Sequence, residues 1–318
     1  MDLRQLRYFV GIVQAGSVSR AADQLHVAQS AISHHLGMLE AELDRELVTR
    51  GQKGIVLTEA GSVLYRHAEA ILRHLEIAKR ESQSAPNKVP SGRVSIGLPH
   101  AIATILSYEL FTRVRSAYPQ IALHLSDGNS SLLRERLLNG RLDIAVLFAD
   151  RHERGLAVEP LLLDELFYVT ADPDTAPIRL AEVPQRPLLE CGPGSNSRHV
   201  AEAAFKQYGI TVTPVAEFDT LSALRSAIAS GIGNAILSWS ALYDGDREIL
   251  LNLRRIADAK LVRTIALCFS EVVERTAAID AVAETLKSVV RELVERGTWR
   301  GVSLLEPSRE PAHALAAQ

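Results

Sequence analysis

Two cysteines in 318 residues, Cys191 and Cys268, are too few for a disulfide framework or a cysteine zinc site, so a reducing cytoplasm is expected. No stretch approaches the roughly 18 consecutive apolar residues that span a bilayer, which argues against a membrane protein. The opening residues MDLRQLRYFVGIVQ show no cleavable signal pattern and read as an amphipathic helix. Positive charge is also scarce: the net charge is −3, which excludes indiscriminate coating of nucleic acid. Residues 1–90 hold 11 Lys/Arg against 10 Asp/Glu, so any affinity for DNA must come from where the cations stand, not from their number.

Catalytic signatures are missing as well. In GPGSN (192–196) the serine stands one place too late for a nucleophile elbow. GIGNAI (231–236) leads into a strand and does not open a helix, which removes the phosphate-binding reading. With no GxxxxGK[ST], no HExxH and no cysteine pair at metal spacing, neither an enzyme nor a cofactor or metal is expected.

What is present begins with residues 17–43, SVSRAADQLHVAQSAISHHLGMLEAEL. Ser17 is placed to cap a short helix whose buried face is Ala21, Ala22 and Leu25. His26, Val27 and Ala28 form a turn, and a second helix carries the stripe Ile32, Leu36, Leu39 and Leu43. At 100° per residue the opposite face shows Ser30, His34, Gly37 and Ala41, with Ser33 on the flank and Gln29 at the start. Small and hydrogen-bonding groups with no long acidic side chain suit the major groove of double-stranded DNA. Leu3, Leu6, Phe9, Val10 and Val13 supply a preceding helix, and LVTRGQKGIVLTEAG (47–61) reads as a β-wing with Arg50 and Lys53 at its tip. A three-helix core with a basic wing is a winged helix-turn-helix. The cations placed to hold phosphates are Arg20, Arg50 and Lys53.

Residues 58–84 read as one long helix capped by Thr58, with Leu64, Ala68, Ile71, Leu75 and Ala78 at coiled-coil spacing. So long a helix with so narrow a stripe has nothing in its own domain to bury against. Its expected partner is the same helix of a second protomer, giving a homodimer. SQSAPNKVPSG (82–92) is a hinge.

Strands and helices alternate beyond residue 92. Strands are expected at 93–98, 121–126, 142–148, 161–169, 187–190, 211–218, 234–238 and 264–270, and helices at 101–117, 132–138, 197–208, 221–230 and 275–296. The segments LNGRLDIAVL and ASGIGNAIL echo one another, which suggests two lobes of one α/β type. The chain should cross between lobes near Leu163–Glu165 and near Leu267. In open α/β sheets ligands sit beyond the carboxyl ends of strands, against helix N-termini. Such positions are Pro99 and His100, Asn129 and Ser130, Phe148, then Ser195, Asn196 and Ser197, and Thr220. Asn, Ser and Thr there also serve as plain caps, and Arg198 is the one arginine near a clamp position.

Taken together, LRQLRYFVGIVQAGSVSRAADQLHVAQSAISHHLGMLEAEL, LVTR and LTEAG resemble the N-terminus of a LysR-type transcriptional regulator. The resemblance is continuous over about the first 80 residues. LHVAQSAIS and ASGIGNAIL are similar to the nitrogen-assimilation-control branch. Ser30 replaces the usual proline, His34–His35 the usual polar pair and Val48 the usual Phe, so base preference does not transfer from relatives. The resemblance implies a two-lobed effector domain like a periplasmic solute-binding protein, pairing of dimers into a homotetramer, contact with RNA polymerase, and a small-molecule effector in the cleft. It also implies that in the nitrogen branch control can lie in the amount of protein, with no ligand.

The expected organisation is a winged helix-turn-helix at 1–60, a linker helix and hinge at 58–91, an effector domain at 92–300 and a loose tail at 301–318. Lobe I covers 92–163 and 268–300, and lobe II covers 164–267. A DNA-binding regulator of pseudo-palindromic sites is the first expectation. A solute-binding sensor whose N-terminal helices serve only assembly is the alternative.

Overall fold

The computed structural model describes residues 1–51, 54–82, 89–149, 153–245, 251–271 and 273–305, and the chain divides into two compact units near Val89.

The first unit holds α1 (Leu3–Ala15), α2 (Val18–Leu25), α3 (Gln29–Leu43), the strands β1 (Val48–Gly51) and β2 (Gly54–Leu57), and α4 (Glu59–Ser82). Helix α1 opens on a capping box: Asp2 Oδ1 accepts from the Gln5 amide at 2.8 Å, and Gln5 Oε1 accepts from the Asp2 amide at 2.7 Å. Ile12, Ala21, Ala22 and Ile32 form one core cluster, and the two alanines let α2 and α3 approach closely. Ser17 stands at the N-cap of α2 without a side-chain cap bond, and His26 ends that helix in the left-handed region at φ 54°. The wing is an antiparallel pair in register from Val48–Leu57 to Gly51–Gly54. It is tied to the helices where the Ile55 amide donates to the Gly16 carbonyl at 3.0 Å.

Helix α4 departs from the sequence expectation. Tyr65 and Ala68 are buried in one cluster with Leu6, Phe9, Val10, Leu39 and Leu47, and Leu64 and Leu72 pack against it. Leu64 and Ala68 therefore serve their own domain, because α1 lies along that side of the helix. Val63, Ile71 and Ala78 remain exposed. The start of α4 is fixed by Thr58, whose Oγ1 accepts from the Gly61 amide at 2.9 Å and donates to the Glu46 carbonyl at 2.6 Å. Gly61 packs so closely that a Cβ there would fall 1.8 Å from the Leu47 carbonyl oxygen. Lys53 and most of the expected hinge lie outside the described residues.

The second unit begins with β3 (Gly92–Pro99), α5 (His100–Ala117), β4 (Ile121–Gly128), α6 (Ser130–Leu138) and β5 (Ile144–Phe148). The long β6 (Leu156–Thr170) leads to β7 (Leu189–Cys191), α7 (Asn196–Gln207), β8 (Ala216–Phe218), α8 (Leu221–Ala229) and β9 (Ala235–Ser238). The chain closes through β10 (Asn252–Arg254), β11 (Val262–Ser270), α9 (Ala277–Glu295) and β12 (Val302–Leu304). Strand β3 is parallel to β4 and β5, while β11 runs antiparallel to β5 and to β6. The first half of β6 thus completes the sheet of lobe I, and its second half pairs with β9 and β10 in lobe II.

Leu162, Ile265, Leu267 and Phe269 sit in the lobe I core with the buried face of α9, whereas Leu166, Tyr168 and Leu261 sit in a lobe II core. The second crossing therefore falls between Leu261 and Ile265, earlier than the expected Leu267. One continuous strand, Val262–Ser270, carries the chain across, so its period shows no break where its neighbours change. Of the expected strand 211–218 only Ala216–Phe218 forms, paired in parallel with Leu189–Cys191. Of the expected tail, Val302, Ser303 and Leu304 instead form β12 and pair with β6, and residues 306–318 lie outside the described residues. Both β10 and β12 are three-residue strands, too short to show a period.

Candidate functional site

Two surfaces carry chemistry, one in each unit. On α3 the residues Gln29, Ser30, Ser33 and His34 are all exposed, while Ile32 and Leu39 on the other side are fully buried. The core fixes the helix by its apolar side and leaves its polar side free. Among the described residues the exposed stretch Gln29–Gly37 includes no acidic group, and Glu40 is turned back to accept from the Leu47 amide at 2.8 Å. His34 meets His35 edge to face at 6.0 Å between ring centres, and His35 meets Tyr8 at 5.2 Å. The imidazole of His34 is thus supported from behind and open outward. Arg20 is exposed on α2. Arg50 falls on β1, its side chain outside the described residues.

The second surface is a cavity of about 280 Å³ between the lobes. Four helices start at it: α5 at His100, α6 at Ser130, α7 at Asn196 and α8 at Leu221. Each offers free backbone N–H groups and the positive end of its dipole, a setting that favours an anion. Of the positions picked out in the sequence, Pro99, His100, Asn129, Ser130, Phe148, Ser195, Asn196 and Ser197 all line the cavity. Thr220 does not, since it sits exposed at the N-cap of α8 while Asp219 and Leu221 on either side reach the wall.

The polar groups differ in how far they are already satisfied. Asn129 caps α6, with Oδ1 accepting from the Leu132 amide at 2.8 Å. Ser195 and Ser197 hydroxyls lie 2.8 Å apart and bond each other. His100 Nδ1 lies 2.8 Å from Asp127 Oδ2, a pair exposed at the mouth. Ser130 Oγ and Asn196 Oδ1 are buried atoms with no hydrogen-bond partner. Cys191 also lines the wall, and burial pushes its thiol up, away from the thiolate.

The strongest charge in the cavity was not legible in the sequence. Arg263 on β11 lines the floor, its side chain 6% exposed, and pairs through Nε with Asp164 on β6 at 2.9 Å. Its Nη2 donates to Ser238 Oγ at 3.0 Å, and its guanidinium stacks on the Phe148 ring at 3.5 Å. Asp164 is wholly buried, and burial raises its carboxyl above the usual aspartate range against the opposing pull of Arg263. The one available signal was a lone arginine in the strand VRTIALCFS. Arg198 is not the clamp. It is held away from the cavity wall by Glu190 at 3.1 Å, Glu202 at 2.8 Å and Glu217 at 2.9 Å.

No helix among the described residues is long and apolar enough to cross a membrane, and no group of His, Cys, Asp and Glu among them could hold a metal ion.

Comparison with known proteins covers both units. Residues 3–62 match the bacterial regulatory helix-turn-helix protein family of the LysR type, and residues 87–291 match the LysR substrate-binding domain. The nitrogen assimilation regulatory protein nac of Escherichia coli K12 is 33% identical over 306 residues, covering 95% of this chain and all of that protein. Its counterpart from Klebsiella aerogenes is 37% identical over 246 residues, or 76% of this chain and 79% of that one. Among solved structures, a full-length OxyR variant from Pseudomonas aeruginosa superposes with a TM-score of 0.71 at 23% identity over 96% of this chain and 99% of its own. Full-length CbnR in complex with its target DNA gives 0.64 at 20% identity over 92% of this chain and 99% of its own. At those identities the two structures establish the fold alone.

Proposed function

The chain belongs to the LysR family and is a DNA-binding transcriptional regulator, and from that premise we propose how its residues divide the work. Gln29, Ser30, Ser33 and His34 enter the major groove and meet base edges. Arg20, Arg50 and Lys53 hold phosphates and set the register. The observation that carries this reading is the acid-free polar side of α3 over Gln29–Gly37, exposed on a helix anchored from its other side by the buried Ile32 and Leu39.

A balance of 11 cations to 10 anions over the first 90 residues cannot hold one protomer on DNA by bulk attraction, so the reading requires two. The exposed Val63, Ile71 and Ala78 of α4, continued by Leu75, form the seam that joins protomers, in place of the full five-residue stripe. Each pair reads a pseudo-palindrome whose half-sites stand about 34 Å apart. Dimers associate into a tetramer, contact RNA polymerase and respond to a small effector in the interlobe cavity. An effector shifts the assembly only as far as its affinity differs between the two states.

Selection of genomic fragments by the purified protein at moderate salt tests the proposal. A shared pseudo-palindrome with half-sites one or more helical turns apart is expected. The Escherichia coli and Klebsiella relatives make promoters of nitrogen-assimilation genes the first to try. Retention with no common sequence would overturn the assignment of base readers.

A further inference from the structure

The geometry points to a small carboxylate with an apolar body as the molecule the interlobe cavity takes, anchored by Arg263. This inference rests on the reading of that cavity as the effector site and names the chemistry of its occupant.

Arg263 is buried almost completely, yet only part of its hydrogen-bonding capacity is used. Nε goes to Asp164 and Nη2 to Ser238, and among the described residues no hydrogen bond engages Nη1. The guanidinium lines the cavity and is held flat against Phe148, so its free edge is aimed without further ordering. A planar cation with an open N–H edge in a nearly dry wall is built for a carboxylate, which accepts from it with charge assistance. A cation whose partner only just neutralises it would otherwise spend that edge on nothing.

Two further buried atoms lack partners, Ser130 Oγ from lobe I and Asn196 Oδ1 from lobe II. Ser130 can donate to a carboxylate oxygen, and Asn196 can do so after turning its amide. Each is the first residue of a helix, α6 and α7, so the groups come with backbone N–H donors beside them. Between these polar points Ala101, Phe148, Phe218, Leu221 and Leu237 form an apolar stretch of wall that suits a hydrocarbon body, while His100 and Asp219 bring further polar groups to the same wall. An anion seated there would touch both lobes, since Ser130 and Asn196 stand on opposite sides of the crossing strands.

The test is calorimetric titration of the full-length protein with hexanoate and with cyclohexanecarboxylate, each beside its neutral amide. At least one carboxylate is expected to bind about tenfold or more tightly than its amide. Arg263→Lys keeps the charge and the pairing with Asp164 but loses the planar edge, so carboxylate affinity should fall by about tenfold. Asp164→Asn with Arg263→Gln removes both charges together, which avoids a lone buried ion, and should abolish the preference for carboxylate over amide. Equal binding of acid and amide, unchanged binding in both variants, or no binding of either acid at millimolar concentration would each overturn the inference. Retention of target DNA measured on the same samples separates the outcomes. Its loss with carboxylate binding intact would break the regulator reading and leave the cavity chemistry standing.

Discussion

The DNA-binding unit and the effector unit solve opposite problems with the same forces. In the first, a helix is buried along one side so that its other side can face outward, and every residue expected to read bases lies within Gln29–His34. In the second, chain segments beginning at Pro99, Gly128, Phe148, Cys191, Phe218, Leu237 and Arg263 are folded inward onto one cavity. A site that looks outward can be written in one short stretch. A site that looks inward has to be assembled from residues far apart in the chain, and its decisive charge can sit where local pattern shows only a strand.

Both tryptophans, Trp239 and Trp299, belong to the effector unit, so their fluorescence follows that unit alone. This makes the comparison open to experiment. The largest effect is expected from Asp164→Ala, which strands the buried Arg263 cation and should cost the effector unit about 3–5 kcal/mol in urea unfolding followed by tryptophan emission. An unchanged midpoint would mean that the pair is not what holds the two crossing strands.

Gly61→Ala should act on the other unit. Its added Cβ meets the Leu47 carbonyl oxygen, and relief of the clash should cost about 1–3 kcal/mol. DNA retention should drop while the tryptophan transition stays in place. A shift in both would show that the units do not unfold separately.

Within the outward site, His34→Ala should lower affinity for the selected sequence by about 1–2 kcal/mol and relax preference at one position. Arg20→Ala should weaken binding to all sequences alike and reduce the slope of log affinity against log salt by about one. Identical behaviour of the two would erase the distinction between reading and holding.

The smallest effect concerns the outer face of lobe I. Arg113 donates to Glu292 through Nη2 at 2.8 Å, and this partner holds the Glu292 carboxyl down at about 2. A depressed carboxyl contributes stability above the usual glutamate range and loses it as pH falls towards 2. Glu292→Gln should therefore lower the midpoint slightly at neutral pH, with the difference from the parent vanishing in acid. A difference that grows on acidification would reverse the sign and refute the pairing.

The fold was legible where period and burial agree. The stripe of α3, the apolar run Ile144–Phe148 and the amphipathic α9 each announced their element, since the helices set one face against a core and the strand is buried on both faces. Helix α4 was legible as a helix and misleading as an interface. Its stripe at Leu64 and Ala68 satisfies α1, and periodicity reports that a face is covered without saying by what. Around the cavity, the residues after strand ends were found because parallel strands must deliver their carboxyl ends to one edge. Thr220 missed the wall by one residue, a matter of how α8 is turned.

The sequence by itself determined most of the elements, the polar exposed face of α3 and the family, because each is recorded in residues a few positions apart. Only the tertiary structure decided which side of α4 is left free, where the chain changes lobes, and that Arg263 at the cavity floor is paired with the buried Asp164, far from it in sequence. Those outcomes follow from strand register and helix packing, in which the position of each residue is set by partners that its own neighbourhood does not name.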